Sequence, residues 1–200
     1  EKREQIISCA SSRYITGITY DVILKIIDYD KKYVVIGKPC DIEALINYTK
    51  LDEKLKNCIK YTMTFFCAGA PSKNATLKLA ENLGVQEDQI DSVRYRGNGW
   101  PGKATVTLKD KSERHMDYID SWNQILGRNI RKMCKFCVNG VGMFADISCG
   151  DLWNLDQNQR PEFTEGKGQN IIFARSKAGR DLLIEASNKG YVYLEDYIKM

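Results

Sequence analysis

Lys32-Tyr33-Val34-Val35-Ile36-Gly37 and Lys60-Tyr61-Thr62-Met63-Thr64-Phe65-Phe66 bracket the stretch on which the fold turns. The first is short, β-branched and apolar, as a strand covered on both faces would be. Between the two, residues 41–56 place Ile42, Leu45, Ile46 and Leu51 among charges, the pattern of an amphipathic helix that follows the Gly37-Lys38-Pro39 turn. After the second strand, Cys67-Ala68-Gly69-Ala70 leads to Pro71, read as a first-turn helix proline, and to a helix ending near Leu83. Strand, helix, strand, helix with a right-handed crossover makes the two strands parallel neighbours, so their carboxyl ends share one edge of the sheet.

Working outward, residues 90–95, 104–109 and 113–119 read as three strands of an antiparallel meander. They are joined by Arg96-Gly97-Asn98-Gly99-Trp100-Pro101-Gly102 and by Asp110-Lys111-Ser112. A helix is expected over residues 121–133, strands over 145–149 and 170–174, and a last helix over 177–188. The fold class that follows is α/β: a mixed sheet with βαβ units plus an antiparallel meander. It is expected as a single catalytic-type domain spanning residues 1–200, a piece of a longer chain, because the sequence opens at Glu1-Lys2-Arg3-Glu4 without Met.

The 200 residues are 43% hydrophobic and 28% charged, with 4 Pro and 15 Gly, which suits a packed core and excludes disordered and fibrous classes. No apolar run approaches the roughly 20 residues of a membrane span, and no signal peptide opens the chain, so a cytoplasmic location is expected. The net charge of +4 is spread without a basic tract, and no nucleic-acid partner is inferred.

Seven cysteines, Cys9, Cys40, Cys58, Cys67, Cys134, Cys137 and Cys149, raise metal or redox chemistry, since an odd number cannot close into disulfides without a remainder. Cys40 and Cys67 follow the carboxyl ends of the two parallel strands, each expected near a helix start whose dipole favours thiolate. Cys134 and Cys137 form a C-x-x-C flanked by Arg131, Lys132 and Lys135, cations suited to anionic sulfur. Together these four supply the number of thiolates that a tetrahedral zinc or a 4Fe–4S cluster requires, and spacing does not choose between them. A plainer reading makes Cys40 and Cys67 small buried hydrophobes. Cys9, Cys58 and Cys149 read as packing residues.

Gly97-Asn98-Gly99-Trp100-Pro101-Gly102 fits G-x-G-x-x-G, but a strand follows where a dinucleotide fold needs a helix, so a hairpin loop of positive-φ glycines is the better reading. Asp146 and Asp151 read as turn caps. His115, the single histidine, reads as solvated, no catalytic triad is supported, and the loop at residues 165–169 reads as a flexible polar turn.

Gly37-Lys38-Pro39-Cys40, residues 66–72 (Phe-Cys-Ala-Gly-Ala-Pro-Ser), residues 96–102, the Cys134/Cys137 pair and residues 145–153 (Ala-Asp-Ile-Ser-Cys-Gly-Asp-Leu-Trp) form an ordered set. It resembles the beta-subunit family of coenzyme F-420 hydrogenases and dehydrogenases, over residues 11–190. The resemblance implies an iron–sulfur flavoprotein oxidoreductase passing electrons between a two-electron carrier, a deazaflavin or similar, and a partner. It implies 4Fe–4S ligands at Cys40, Cys67, Cys134 and Cys137. It also implies FAD, with Ser12, Arg13, Tyr14, Lys38, Arg96 and Lys103 as flavin or phosphate contacts, and a deazaflavin coenzyme as substrate. Partners would be a redox partner protein or ferredoxin-like domain and a small-molecule electron carrier. Two departures from the family pattern are Ala68, where a histidine is frequent, and Cys149, where an aliphatic residue is usual. The alternative is a four-cysteine zinc-stabilised binding module without redox activity; a C-x-x-C thiol–disulfide protein lacks the strand context it needs.

Overall fold

The computed structural model describes residues 2–8, 12, 14 and 19–195. In chain order its strands are β1 (Tyr33–Gly37), β2 (Ile59–Phe65), β3 (Ile90–Arg94), β4 (Lys103–Leu108), β5 (Glu113–Asp117), β6 (Ile147–Asp151) and β7 (Asn170–Ala174). The helices are α1 (Arg3–Ser8), α2 (Thr19–Ile26), α3 (Pro39–Thr49), α4 (Glu53–Cys58), α5 (Lys73–Asn82), α6 (Tyr118–Asp120), α7 (Lys132–Lys135) and α8 (Lys177–Asn188). Two compact units share the chain, which among the described residues passes between them after Cys67, Cys137, Asp151 and Gln169. No helix among the described residues is long and apolar enough to cross a membrane.

One unit holds the sheet β1-β2-β6-β7, in which β1, β2 and β6 are parallel and β7 is antiparallel to β6. The βαβ expectation holds: α3 is the crossover between β1 and β2, and its Ile42 and Leu45 are buried. Burying such a side chain contributes about 1.5–3 kcal/mol. The helix stops at Thr49 instead of running to residue 56, because Asp52 accepts the Leu55 N–H at 3.0 Å and starts α4 in its place. A short polar side chain that bonds the backbone three residues on is worth more as a cap than inside a helix.

The other unit holds the antiparallel meander β3-β4-β5, as expected. Its core gathers Ala75 and Leu79 of α5, Tyr95, Ala104, Ile125 and Leu126, with a second cluster of Ala80, Val85 and Val106. Two sequence expectations are corrected. Pro71 is not a first-turn residue: Ser72 caps α5 through the Ala75 N–H, and Pro71 instead bridges Ile130 in antiparallel fashion. The helix over 121–133 is not continuous either. After α6 the backbone widens to π-type winding over Ser121–Leu126, tightens over Gly127–Asn129, breaks at Ile130 and resumes as α7. Asn129 donates its side-chain amide to the Ile125 carbonyl at 2.7 Å, which satisfies a terminal acceptor and favours the stop.

Candidate functional site

Cys40 and Cys67 sit at the carboxyl edge of the parallel sheet. Cys40 lies in the first turn of α3, entered through Pro39 and a reciprocal bond in which Asp41 accepts the Lys38 N–H. The helix dipole was expected to favour its thiolate. Instead partial burial pushes the thiol up, the neighbouring Asp41 charge adds to this, Lys38 opposes it, and Cys67 raises it further. Cys67 is half-buried and donates its N–H to the Gly140 carbonyl at 2.8 Å. It has no helix start beside it, since α5 begins only at Lys73 behind the Ser72 cap.

Cys134 and Cys137 belong to the other unit. Cys134, half-buried in α7, accepts the Ala70 N–H on its sulfur at 3.5 Å, and Cys137 is exposed just past the helix end. Gly69 makes this approach possible: its φ of +113° belongs to glycine, and a Cβ there would lie 3.3 Å from the Cys134 Cβ. Within neither unit do three or more Cys, His, Asp or Glu side chains among the described residues gather as a preformed metal site. Of the remaining cysteines, Cys58 is buried with its thiol donating to the Tyr29 carbonyl, consistent with packing. Cys149 is half-buried in β6, where burial pushes its thiol up. Cys9 lies outside the described residues.

Lys38 directs its ammonium onto Asp41 at 2.6 Å. Lys103, exposed, lies 3.5 Å from Asp117. Ser12 is half-buried; Tyr14 packs edge-on against Tyr95 at 4.7 Å and Trp122 at 5.6 Å, on the meander core; Arg13 lies outside the described residues.

Arg96 is placed where sequence alone did not foresee. Its guanidinium lies over three rings, Trp100 at 4.4 Å, Trp153 at 5.1 Å and Tyr118 at 5.3 Å, and its Nε donates to the Pro101 carbonyl. The Trp100 and Trp153 rings stack at 4.9 Å, with Phe163 against Trp153. Opposite, Glu165 accepts the Trp100 N–H at 3.0 Å and the Gly102 N–H at 2.8 Å, and Gly166 donates to the Trp100 carbonyl. The stretch at residues 165–169 is therefore not a free polar turn but the clamp of the glycine-rich loop. That loop is the positive-φ hairpin expected, with Gly97, Asn98, Gly99 and Gly102 all left-handed. A cavity of about 300 Å³ opens beside it, lined by Gly97, Asn98, Lys103, Thr105, His115 and Glu165. His115 is exposed, as expected, and its Nδ1 lies 3.0 Å from the Thr105 hydroxyl on the cavity wall.

Asp146 also exceeds its expected role as a turn cap. It accepts the Thr62 N–H at 2.8 Å, the Thr62 hydroxyl at 2.9 Å and the Ser176 hydroxyl, tying β2 to the start of α8.

Over 192 residues the chain is 25% identical to the F420-dependent formate dehydrogenase subunit beta of Methanocaldococcus jannaschii, covering 96% of this chain and 46% of that protein. It is also 25% identical over 190 residues to the F420-dependent formate dehydrogenase 1 subunit beta of Methanococcus maripaludis, covering 94% and 46%. The chain thus spans about half the length of the curated relatives it matches. Its fold is similar to a chain of the F420-reducing [NiFe] hydrogenase complex from Methanosarcina barkeri, with a TM-score of 0.61, 17% identity and coverage of 94% of this chain and 60% of that one. Residues 30–199 match the family described as the C terminus of the coenzyme F420 hydrogenase/dehydrogenase beta subunit, and the chain belongs to that family.

Proposed function

We propose that this chain is part of an iron–sulfur flavoprotein oxidoreductase that passes electrons between a two-electron carrier of the deazaflavin class and a one-electron partner. The observation that carries the reading is the state of the sulfur donors in a chain of this family. Cys40 and Cys67 follow the carboxyl ends of the paired parallel strands β1 and β2, and Cys134 already receives a backbone N–H on its sulfur. All four proposed ligands, Cys40, Cys67, Cys134 and Cys137, are sulfur, and hydrogen bonds to ligating sulfur are among the means by which proteins tune such centres. The donor set therefore fits a 4Fe–4S cluster, which would supply one-electron steps, beside a flavin that supplies the exchange between paired and single electrons.

The chain's own part is to hold and shield. The Ala70 N–H is donated to the Cys134 sulfur, a bond that a ligating sulfur would keep. The Glu165 clamp and the Arg96 stack hold the glycine-rich loop in one conformation beside its cavity. Lys103 offers a positive charge at that cavity to an anionic group of a flavin. Ser12, Arg13, Tyr14 and Lys38 complete the proposed flavin or phosphate contacts.

Anaerobic purification followed by iron, acid-labile sulfide and zinc analysis and a visible spectrum tests the reading. Iron and sulfide in about equal amounts, with flavin absorbance, support it. Cys134→Ser and Cys137→Ser should each abolish cluster binding while leaving part of the flavin. Stoichiometric zinc without iron, or variants that keep their full iron, overturn the ligand assignment.

A further inference from the structure

Between Asp120 and Asp146 the sequence contains no carboxylate side chain and carries Arg128, Arg131, Lys132 and Lys135. In the middle of this stretch two large apolar side chains are exposed, Met133 on α7 at 81% and Phe136 just past its end at 82%. Lys132 and Lys135, on the same short helix, are exposed, and no ion pair among the described residues engages either. Cys134, half-buried, lies between these groups in sequence, and Cys137, exposed, directly follows Phe136.

Exposed apolar side chains on a four-residue helix contribute nothing to the core of their own unit. An apolar centre with a charged rim is, in contrast, the anatomy of a protein interface. Electron-transfer encounters use the smallest such interfaces, where charge steers the approach and a few apolar contacts set the lifetime. A stretch that carries cations and no carboxylate of its own favours a partner rich in carboxylates. It also disfavours a second copy of itself, which would bring like charges together.

We propose that α7 is the docking face for a small acidic electron-carrier protein, with Met133 and Phe136 as the apolar contact and Lys132 and Lys135 as the steering charges. The proposal rests on the reading that Cys134 and Cys137 ligate a cluster, and it specifies which part of the surface the one-electron partner meets.

The test titrates a small acidic ferredoxin into the anaerobically purified protein by calorimetry at about 50 and about 300 mM salt. The parent should lose roughly tenfold in affinity across that range. The Lys132→Glu, Lys135→Glu double variant should bind about tenfold more weakly at low salt with a flattened salt dependence, and Phe136→Ser should weaken binding while keeping the salt dependence. Iron content is measured on every variant, and affinities are compared only between preparations of equal iron content. Equal affinity of parent and charge-reversed protein, or no binding by iron-loaded parent, overturns the proposal. So does protection of the Met133 and Phe136 side chains from hydroxyl-radical labelling in the protein alone, which would mean that another part of the chain or a second copy already covers the face. Tighter capture by phosphatidylserine vesicles than by ferredoxin, lost in the same variants, overturns it in favour of a membrane surface. A protein without iron that still binds ferredoxin with this salt slope supports the docking face and overturns the cluster reading alone.

Discussion

Glu165 holds Trp100 by its backbone: one carboxylate oxygen accepts the Trp100 N–H at 3.0 Å while the other accepts the Gly102 N–H at 2.8 Å, across more than sixty residues of sequence. Two N–H groups converging on one carboxylate leave the loop little freedom, because each bond to a charged acceptor is worth more than one to a neutral one. Gly102 tightens the same turn, since its φ of +74° and the nearness of the Gly97 carbonyl leave no room for a Cβ.

Glu165→Gln should therefore loosen the loop. The amide presents one acceptor to two donors and turns its NH₂ toward the second, so the variant should lose about 1 kcal/mol by thermal unfolding, the clamp being exposed. Amide exchange at Trp100 and Gly102 should accelerate, with exchange in β4 unchanged. Unaltered exchange at both residues would show that the clamp is not what orders the loop.

Arg96→Lys keeps the charge and removes the plane. The guanidinium lies over Trp100, Trp153 and Tyr118, an arrangement that an ammonium on a flexible stem does not reproduce. Loss of about 1–2 kcal/mol and a red-shifted tryptophan emission are expected as the stacked Trp100 and Trp153 rings separate. A variant with parental stability and emission would mean that charge alone is used at this position.

The β1-α3-β2 unit and the meander were legible in sequence because local patterns produce them: a β-branched run, an amphipathic spacing, polar turns between alternating residues. The positions where the expectations slipped share a cause. Asp52 and Ser72 each spend a short polar side chain on a backbone N–H three residues ahead, and such bonds move a helix boundary without disturbing apolar periodicity. The Arg96 stack was illegible for another reason. Its rings come from Trp100, Tyr118 and Trp153, and nothing local to any of them says that they meet. The sulfur residues were legible by type and spacing, but the chemistry of Cys40 was not, because burial and Asp41 outweigh the helix dipole that sequence position suggests.

Asp146→Ala should be the most destabilising of these substitutions. Thr62 is 2% exposed, and its N–H and hydroxyl both donate to the Asp146 carboxylate, so removal strands two buried donors as well as the Ser176 hydroxyl that caps α8. A cost of about 2–4 kcal/mol is expected in chemical denaturation. Asp146→Asn, which keeps one acceptor, should recover part of it. Equal stability of the alanine variant and the parent would mean that water replaces the carboxylate fully.

Cys149 offers a measurement of pH dependence in a residue outside the proposed ligand set. Its thiol is raised by burial in β6, so at any fixed pH the native protein holds less thiolate there than the unfolded chain does. Alkylation by iodoacetamide, resolved by peptide mass spectrometry, should reach its half-maximal rate at higher pH in native protein than in urea. The linkage has a definite sign: the folded state binds this proton more tightly than the unfolded one. The stability it contributes is complete below the ordinary thiol range and falls as pH rises through the raised native value. The side chain is only partly buried, so the effect is read from the alkylation midpoint and not from global stability. Coincident native and unfolded profiles would show that Cys149 is as solvated in β6 as in an open chain.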